Sequence, residues 1–169
     1  MESFSYQDLG RIVYAKALDI QTEKFNALLA AKAKGEKGWN ELLFCEHDPV
    51  LTIGKSGKDS NLLIPEARLQ ALGVSYYHIN RGGDITYHGP GQITGYPIFD
   101  LETWHIGLKQ YIYRLEETII RFLALYGLKG ERLEGATGVW LDPFVAGKAR
   151  KICAIGVKSS RFVTMHGFA

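Results

Sequence analysis

The sequence predicts an α/β (α+β) fold, a mixed β-sheet wrapped by helices, in a single domain spanning residues 1–169. Three observations carry that reading. Apolar residues recur at helical spacing in two long segments, early and in mid-chain. Between and after them come short runs rich in β-branched and aromatic residues, bounded by Gly, Pro and Asp. A chain of 169 residues with 46% apolar and 22% charged residues is sized and composed for one soluble core. Helices that alternate with strands pack on the faces of a sheet.

Tyr14, Ala17, Leu18, Phe25, Leu28 and Leu29 predict a helix over about 11–34, with Gly35 as its stop. Segments 41–46 and 50–53 are expected as short strands around the turn His47-Asp48-Pro49. Pro65 and Gly73 bracket a short helix over 65–72. Strands follow at 74–79 and 93–100. Leu108, Tyr111, Ile112, Leu115, Ile119, Phe122, Leu123 and Tyr126 form one apolar stripe, which predicts a helix over 108–126 that faces the core and ends at Gly127. Segments 138–141 and 151–157 are predicted strands. Lys158-Ser-Ser-Arg161 is expected as a polar turn before a last strand, 162–166. No internal repeat or linker is visible.

The stretch Arg81-Gly-Gly-Asp-Ile-Thr-Tyr-His-Gly-Pro-Gly-Gln92 joins the strands at 74–79 and 93–100. An ordinary surface turn, which only reverses the chain, needs about two to five residues. Here glycines let the backbone approach something closely, and Arg81, Asp84, Thr86, Tyr87, His88 and Gln92 surround that point. A plain long loop is the competing reading. The stretch is not a phosphate loop, because no Gly-Lys-Ser/Thr closes it, nor a dinucleotide fingerprint, because a strand rather than a helix follows. His78 and His88 lie ten residues apart without clustered Cys or Asp, so no metal site is expected. His88 either holds the loop through a backbone carbonyl or contacts substrate.

A net charge of +2 and the lack of a basic run of five give no nucleic-acid signature. No apolar run approaches the roughly 18 residues of a membrane helix. The acidic, polar start MESFSYQDLGRIVY has no basic-then-apolar leader. Cys45 and Cys153 make neither a disulfide framework nor a metal site, so a cytoplasmic location is expected.

The stretch Arg81-Gly-Gly-Asp-Ile-Thr-Tyr-His-Gly-Pro-Gly-Gln-Ile-Thr-Gly-Tyr-Pro-Ile-Phe-Asp-Leu101 resembles the signature of the lipoate-protein ligase B family. Leu42 to Gly54, Gly135-Ala-Thr-Gly-Val-Trp140, Lys151-Ile-Cys-Ala-Ile-Gly-Val157 and Thr164-Met-His-Gly-Phe-Ala169 are similar to further blocks of that family, in the same order. The resemblance runs from about residue 9 to Ala169. It implies the fold of biotin and lipoate ligases. It also implies a reaction, the transfer of an octanoyl group from the phosphopantetheine thiol of an acyl carrier protein to a lysine of a lipoyl domain, through an acyl-cysteine thioester. Acceptors would be the lipoyl domains of 2-oxoacid dehydrogenases and the glycine cleavage H protein. No cofactor, no metal, no nucleic acid and no membrane are implied, and a monomer is expected.

By the same resemblance, substrate is bound by Arg81, Gly82, Gly83, Asp84, Ile85, Thr86, Tyr87 and His88, by Ala154, Ile155 and Gly156, and by Gly167, Phe168 and Ala169. Backbone N–H groups near Gly82 and Gly83 would meet the thioester carbonyl. Burying seven CH₂ or CH₃ groups contributes roughly 5 kcal/mol, enough to grip an alkyl chain without a charged handle. Lys151 matches the family's catalytic lysine, which exchanges protons with the thiol and the incoming amine. Apart from the resemblance, basic residues among Lys55, Lys58, Lys148, Arg150, Lys158 and Arg161 are expected either to receive an acidic carrier protein or to be ordinary solvated charges.

The family's nucleophilic cysteine lies downstream of the His-Gly-x-Ala block, and the sequence stops at Ala169. The chain is therefore expected to lack that part, and to be inactive by itself. Cys153 is the substitute at hand, since residues two apart on a strand share a face; small apolar residues also occur at that family position, which makes packing the expected role. Two other classes stay open. An ATP-dependent lipoate or biotin ligase would carry an additional Arg-x-Ser and a closing Asp around the loop, which are absent here. A non-catalytic acyl- or protein-binding module would follow if Ala169 were the true end.

Overall fold

The computed structural model describes residues 4–169. Among the described residues there are three α-helices and eleven strands, the strands forming three small sheets rather than the one sheet predicted, while the mixed α+β class holds. The largest sheet has five strands in the order β1-β2-β6-β11-β10: Ser5–Ile12, Glu41–His47, Thr94–Ile98, Val163–Phe168 and Ile155–Ser160. β1 runs parallel to β2 and the other neighbours are antiparallel. A second sheet places β3 (Val50–Ile53) between β4 (Ser75–His78), parallel, and β5 (Ile85–His88), antiparallel. The third is an antiparallel meander of β7 (Glu131–Leu133), β8 (Ala136–Leu141) and β9 (Arg150–Cys153).

Helix α1 (Tyr14–Ala33) covers one face of the five-stranded sheet. Phe25 and Leu28 pack on Ile98, Val163 and Met165, while Ala17 meets Leu43, Cys45 and Tyr96. These sheet residues alternate along β2 and β6, as a two-residue period requires. α2 (Glu66–Ala71) is short and anchored by Leu69. α3 (Leu108–Ala124) buries Leu123 against Val139 and Cys153 of the third sheet.

The opposite face of the sheet does not close on α3. Leu42, Phe44, Pro97 and Phe168 face Tyr111, Leu115, Ile119 and Phe122 across an open apolar cavity of about 1160 Å³. The stripe on α3 is fully buried at Tyr111 and Leu123, with Ile112, Leu115 and Ile119 partly buried against the core. Leu108, Phe122 and Tyr126 are exposed, a correction to the expectation that the whole stripe packs inward.

Three strands escape the sequence signals. β1 is a polar edge strand with Gly10 at φ 61° and a shift of register between Asp8 and Arg11, so neither alternation nor apolar content marks it. β5 is four residues inside the Gly-rich stretch, and β7 is three. The predicted strand 151–157 is two strands in two sheets, broken at Ala154. The expected turn at Lys158–Arg161 shifts to Arg161 and Phe162, both left-handed at φ 48° and 64°.

Candidate functional site

The Gly-rich stretch is held as a shelf by its neighbours' backbones. Gly54, Lys55 and Ser56, at the end of β3, donate to the carbonyls of Asp84, Arg81 and Gly83 at 2.9–3.1 Å. On the other side, Gly82 N–H donates to Val157 O at 2.9 Å. A side chain at Gly156 would stand 2.7 Å from Gly82 O and 3.1 Å from Arg81 Cδ, so this contact between β10 and the shelf exists only because position 156 is bare.

Arg81 is 6% exposed. Its guanidinium donates to Thr52 O (2.8 Å), Thr52 Oγ1 (2.9 Å) and Gly82 O (2.9 Å). Desolvation pulls its pKa below the ordinary arginine value. The charge is therefore spent on neutral oxygens that tie β3 to the shelf, and it leaves a positive field at the cavity.

Facing the shelf are the start of β9, the start of β10 and the end of β11. Ala154 and Ala169 exchange backbone hydrogen bonds at 2.8 and 3.0 Å, which draws the break between β9 and β10 onto the end of β11. Lys151 lies on β9 directly opposite Trp140, its Nζ 4.7 Å from the indole centroid. Between shelf and facing strands is a cavity of about 300 Å³, within the range of small-molecule sites, roughly 300–1,000 Å³. Lys151 and Thr137 are exposed at its margin. Tyr14, His88, Thr94, Tyr96 and His166 are buried at its inner side.

That inner wall is polar and uncharged. His88 donates from Nδ1 to Gln92 Oε1 at 2.7 Å, the amide's other end being a donor to Tyr87 O. This fixes the tautomer and leaves Nε2 as an acceptor. Burial lowers the pKa of His88 to about 4, and that of His166 to about 4. His47, fully buried, donates from Nδ1 to Ile12 O and accepts the Tyr96 hydroxyl at Nε2, 2.6 Å away. The rings of Tyr14 and His88 stack at 10°, with centroids 6.3 Å apart. Among the described residues, Thr94 Oγ1 and His166 Nδ1 have no hydrogen-bond partner, although the two residues are only 1% and 4% exposed.

Of the residues named from sequence, Arg81, Gly83, Asp84, Ile85, Thr86, His88, Lys151, Ala154, Ile155, Gly156, Gly167, Phe168 and Ala169 all line this one cavity. Gly82 does not line it but fixes the shelf. Tyr87 is half exposed and directed elsewhere. The residues missed are Tyr14, Ile79, Thr94, Tyr96, Thr137 and His166. His166, Thr94, Tyr96 and Thr137 had a signal, since they lie inside recognised blocks; Tyr14 and Ile79 lie outside them. Among the basic residues named, Arg150 pairs with Asp142 at 2.6 Å and Lys158 lies over the Phe25 ring.

Neither thiol is placed to react at this cavity. Cys45 and Cys153 are 3% and 4% exposed, and burial pushes each thiol up to about 12. Lys151 and Cys153 do not share a face as an unbroken strand would require. Lys151 pairs with Trp140 and Cys153 with Val139, so β9 carries one extra residue, Ile152, as a bulge. Lys151 then lines the small cavity and Cys153 the large apolar one. Among the described residues, no group of three or more His, Cys, Asp and Glu converges as a metal site.

The sequence model of the lipoyl protein ligase A/B catalytic domain matches residues 14–169. A Parabacteroides distasonis protein named octanoyltransferase is 79% identical over 169 residues, which is all of this chain and 76% of that protein. An octanoyltransferase of Porphyromonas gingivalis is 60% identical over 166 residues, covering 98% of this chain and 34% of its own length. Two solved structures share the fold: an archaeal bipartite lipoate protein ligase from Thermoplasma acidophilum (TM-score 0.67, 14% identity, 99% of this chain and 60% of that one) and a lipoate-protein ligase A bound with ATP (TM-score 0.64, 14% identity, 99% and 65%).

Proposed function

The chain belongs to the lipoyl protein ligase A/B catalytic-domain family, and from that premise we propose that it is the catalytic domain of an octanoyltransferase of lipoate biosynthesis. The observation that carries the proposal is the convergence of the Arg81 shelf, Ala154–Gly156, Gly167–Ala169 and Lys151 on one cavity of about 300 Å³. The substrate is an octanoyl thioester on the phosphopantetheine of an acyl carrier protein. The acceptor is a lysine of a lipoyl domain, and both meet the protein in the cytoplasm.

Two acyl transfers make up the reaction. In the first, a cysteine thiolate attacks the thioester carbonyl carbon, the bond to the phosphopantetheine sulfur breaks, and that sulfur leaves as a thiol after taking a proton. In the second, the neutral acceptor amine attacks the acyl-cysteine. An amide forms, the cysteine leaves as a thiolate, and the amine gives up its proton. Lys151 is the group that accepts and returns these protons. The Gly82 N–H is taken by Val157 O, so it is the buried Arg81 charge that opposes the negative charge developing on the carbonyl oxygen. The attacking thiol belongs to a cysteine that the family carries beyond the His166-Gly167-Phe168-Ala169 block, since Cys45 and Cys153 are buried and hard to ionise. The thioester is already activated, so neither a nucleotide nor a metal is needed.

Exposed Lys148 and Arg150 flank Lys151 and favour an acidic carrier. The full-length protein, incubated with octanoyl carrier protein and a lipoyl domain, is expected to octanoylate the domain without ATP or Mg²⁺, by intact-mass analysis. Transfer of free octanoate or lipoate only when ATP is supplied would replace this reading with a ligase. Binding of the acyl group with no transfer under either condition would leave a binding module.

A further inference from the structure

We propose that Trp140 is the positioning residue of the Lys151 ammonium, a reading that rests on the role given to Lys151 above. Trp140 and Lys151 are direct partners in the antiparallel β8–β9 pair, so their side chains leave the sheet on the same face. The ammonium lies 4.7 Å from the indole centroid, inside the roughly 6 Å at which a ring face attracts a cation. The ring itself is fixed, because Nε1 donates to Ala136 O at 2.9 Å.

The stem of the lysine is guided as well. Lys151 Cδ and Cε pass 3.5 Å from the point where a Cβ on Gly138 would stand. Gly138 is held at φ 118°, a conformation that side chains rarely adopt, and its N–H donates to Glu116 Oε1 at 3.0 Å. Glu116 is buried and paired with Arg132 at 3.1 Å. The lysine therefore runs over a bare strand position that is pinned to α3, and ends on a fixed indole. Among the described residues no carboxylate stands within ion-pair distance of its ammonium.

The device answers a specific difficulty. An exposed lysine has four rotatable carbons and, untethered, would spend most of its time away from the cavity margin. A carboxylate could tether it, yet would also hold its proton by a strong charge-assisted bond. An aromatic face restrains the ammonium without accepting its proton, and leaves the amine free to exchange one with the thiol or the acceptor amine.

The test compares substitutions in the full-length protein, assayed for octanoyl transfer. Trp140→Leu is expected to lower kcat roughly 2- to 30-fold, the range of a single cation–ring contact, with KM for the acyl donor within about twofold. Trp140→Phe is expected to recover most of the rate. Fluorinated tryptophans introduced at position 140 alone keep the shape and weaken the ring face, and should lower kcat in step with fluorination. In NMR spectra, the Lys151 Hε signals should lose their upfield ring shift in Trp140→Leu. Full activity across the leucine and fluorinated series, with Lys151→Ala inactive, would overturn the positioning role while leaving the proposed function intact. Full activity in Lys151→Ala would instead remove the lysine's role and this inference with it. Should Trp140→Leu fail to fold, the fluorinated series alone decides.

Discussion

Two cavities share Phe168 and Ala169 and no other residue. One is about 300 Å³, walled by the Arg81 shelf, the start of β10 and a set of buried histidines and tyrosines. The other, about 1160 Å³, is walled by apolar side chains of the sheet and α3. Size alone would select the second, since a large apolar pocket is the ordinary first candidate for a ligand. Chemistry selects the first. Acyl transfer needs hydrogen-bond donors fixed before the charge develops and a group that moves protons. The larger cavity has a mainly apolar lining suited to a chain, and its two thiols, Cys45 and Cys153, are buried and pushed up to about 12. The difference teaches that the convergence of unlike polar groups from separate elements locates this site better than volume does.

The largest expected effect tests that choice directly. Lys151→Ala should lower octanoyl transfer by roughly 10²- to 10⁴-fold, the usual contribution of a positioned proton-transfer group. Lys151 is largely exposed, so melting temperature should move little. A variant that unfolds, rather than one that folds and fails to transfer, would mark Lys151 as structural and weaken the claim of the smaller cavity.

Next is the polar inner wall. His88 and His166 are held near 4 by burial, against an ordinary value of about 6.5. Above pH 6.5 both states are neutral at these rings and folding is indifferent to them. Between pH 6.5 and 4 the unfolded chain binds protons that the folded chain refuses, so stability falls as pH falls. From pH 7.5 to 5 the loss should be roughly 2 kcal/mol per ring by urea denaturation. His88→Gln should flatten that dependence by about one ring. A wild-type stability level across this interval would mean that the wall is wet, and the contrast between the two cavities would shrink.

Closely behind is the contact that forms the smaller cavity. Gly156→Ala brings a methyl to 2.7 Å from a backbone oxygen, which can yield only by moving the shelf. The expected cost is roughly 1–3 kcal/mol of stability, together with weaker octanoyl binding in calorimetry. Unchanged binding would show that the shelf and β10 act independently.

How much of this was legible in the sequence varies by element. α1 and α3 were readable because a 3.6-residue period survives whatever packs on it. The Gly-rich shelf was readable because Gly82, Gly83, Gly89 and Gly91 crowd polar residues together without a turn's economy. β1 was not, being a polar edge strand with no buried residue, nor was the break at Ala154, which lies inside a continuous apolar run. The recognised blocks supplied most of the residues around the smaller cavity. Thr94 and Tyr96 stand inside the recognised stretch Arg81–Leu101 without being singled out by it, and Tyr14 was out of reach, since α1 meets the shelf only through the tertiary fold. The separation of Lys151 from Cys153 was out of reach too, because a bulge at Ile152 leaves no mark in composition.

The smallest expected effect is the sharpest test of the comparison. Phe122→Glu and Ile152→Arg place charge on the walls of the larger cavity, at side chains 46% and 44% exposed. If the alkyl chain lies in the smaller cavity, octanoyl affinity should stay within about twofold, and stability within roughly 0.5 kcal/mol, as for other surface changes. If instead the chain lies in the larger one, a charge that displaces even three methylenes would forfeit about 2.4 kcal/mol, roughly 50-fold in affinity. The two outcomes differ by more than an order of magnitude, so a single calorimetric titration of each variant separates them. A 50-fold loss would leave the polar groups of the smaller cavity to the thioester carbonyl alone and move the alkyl chain past Phe168 into its neighbour.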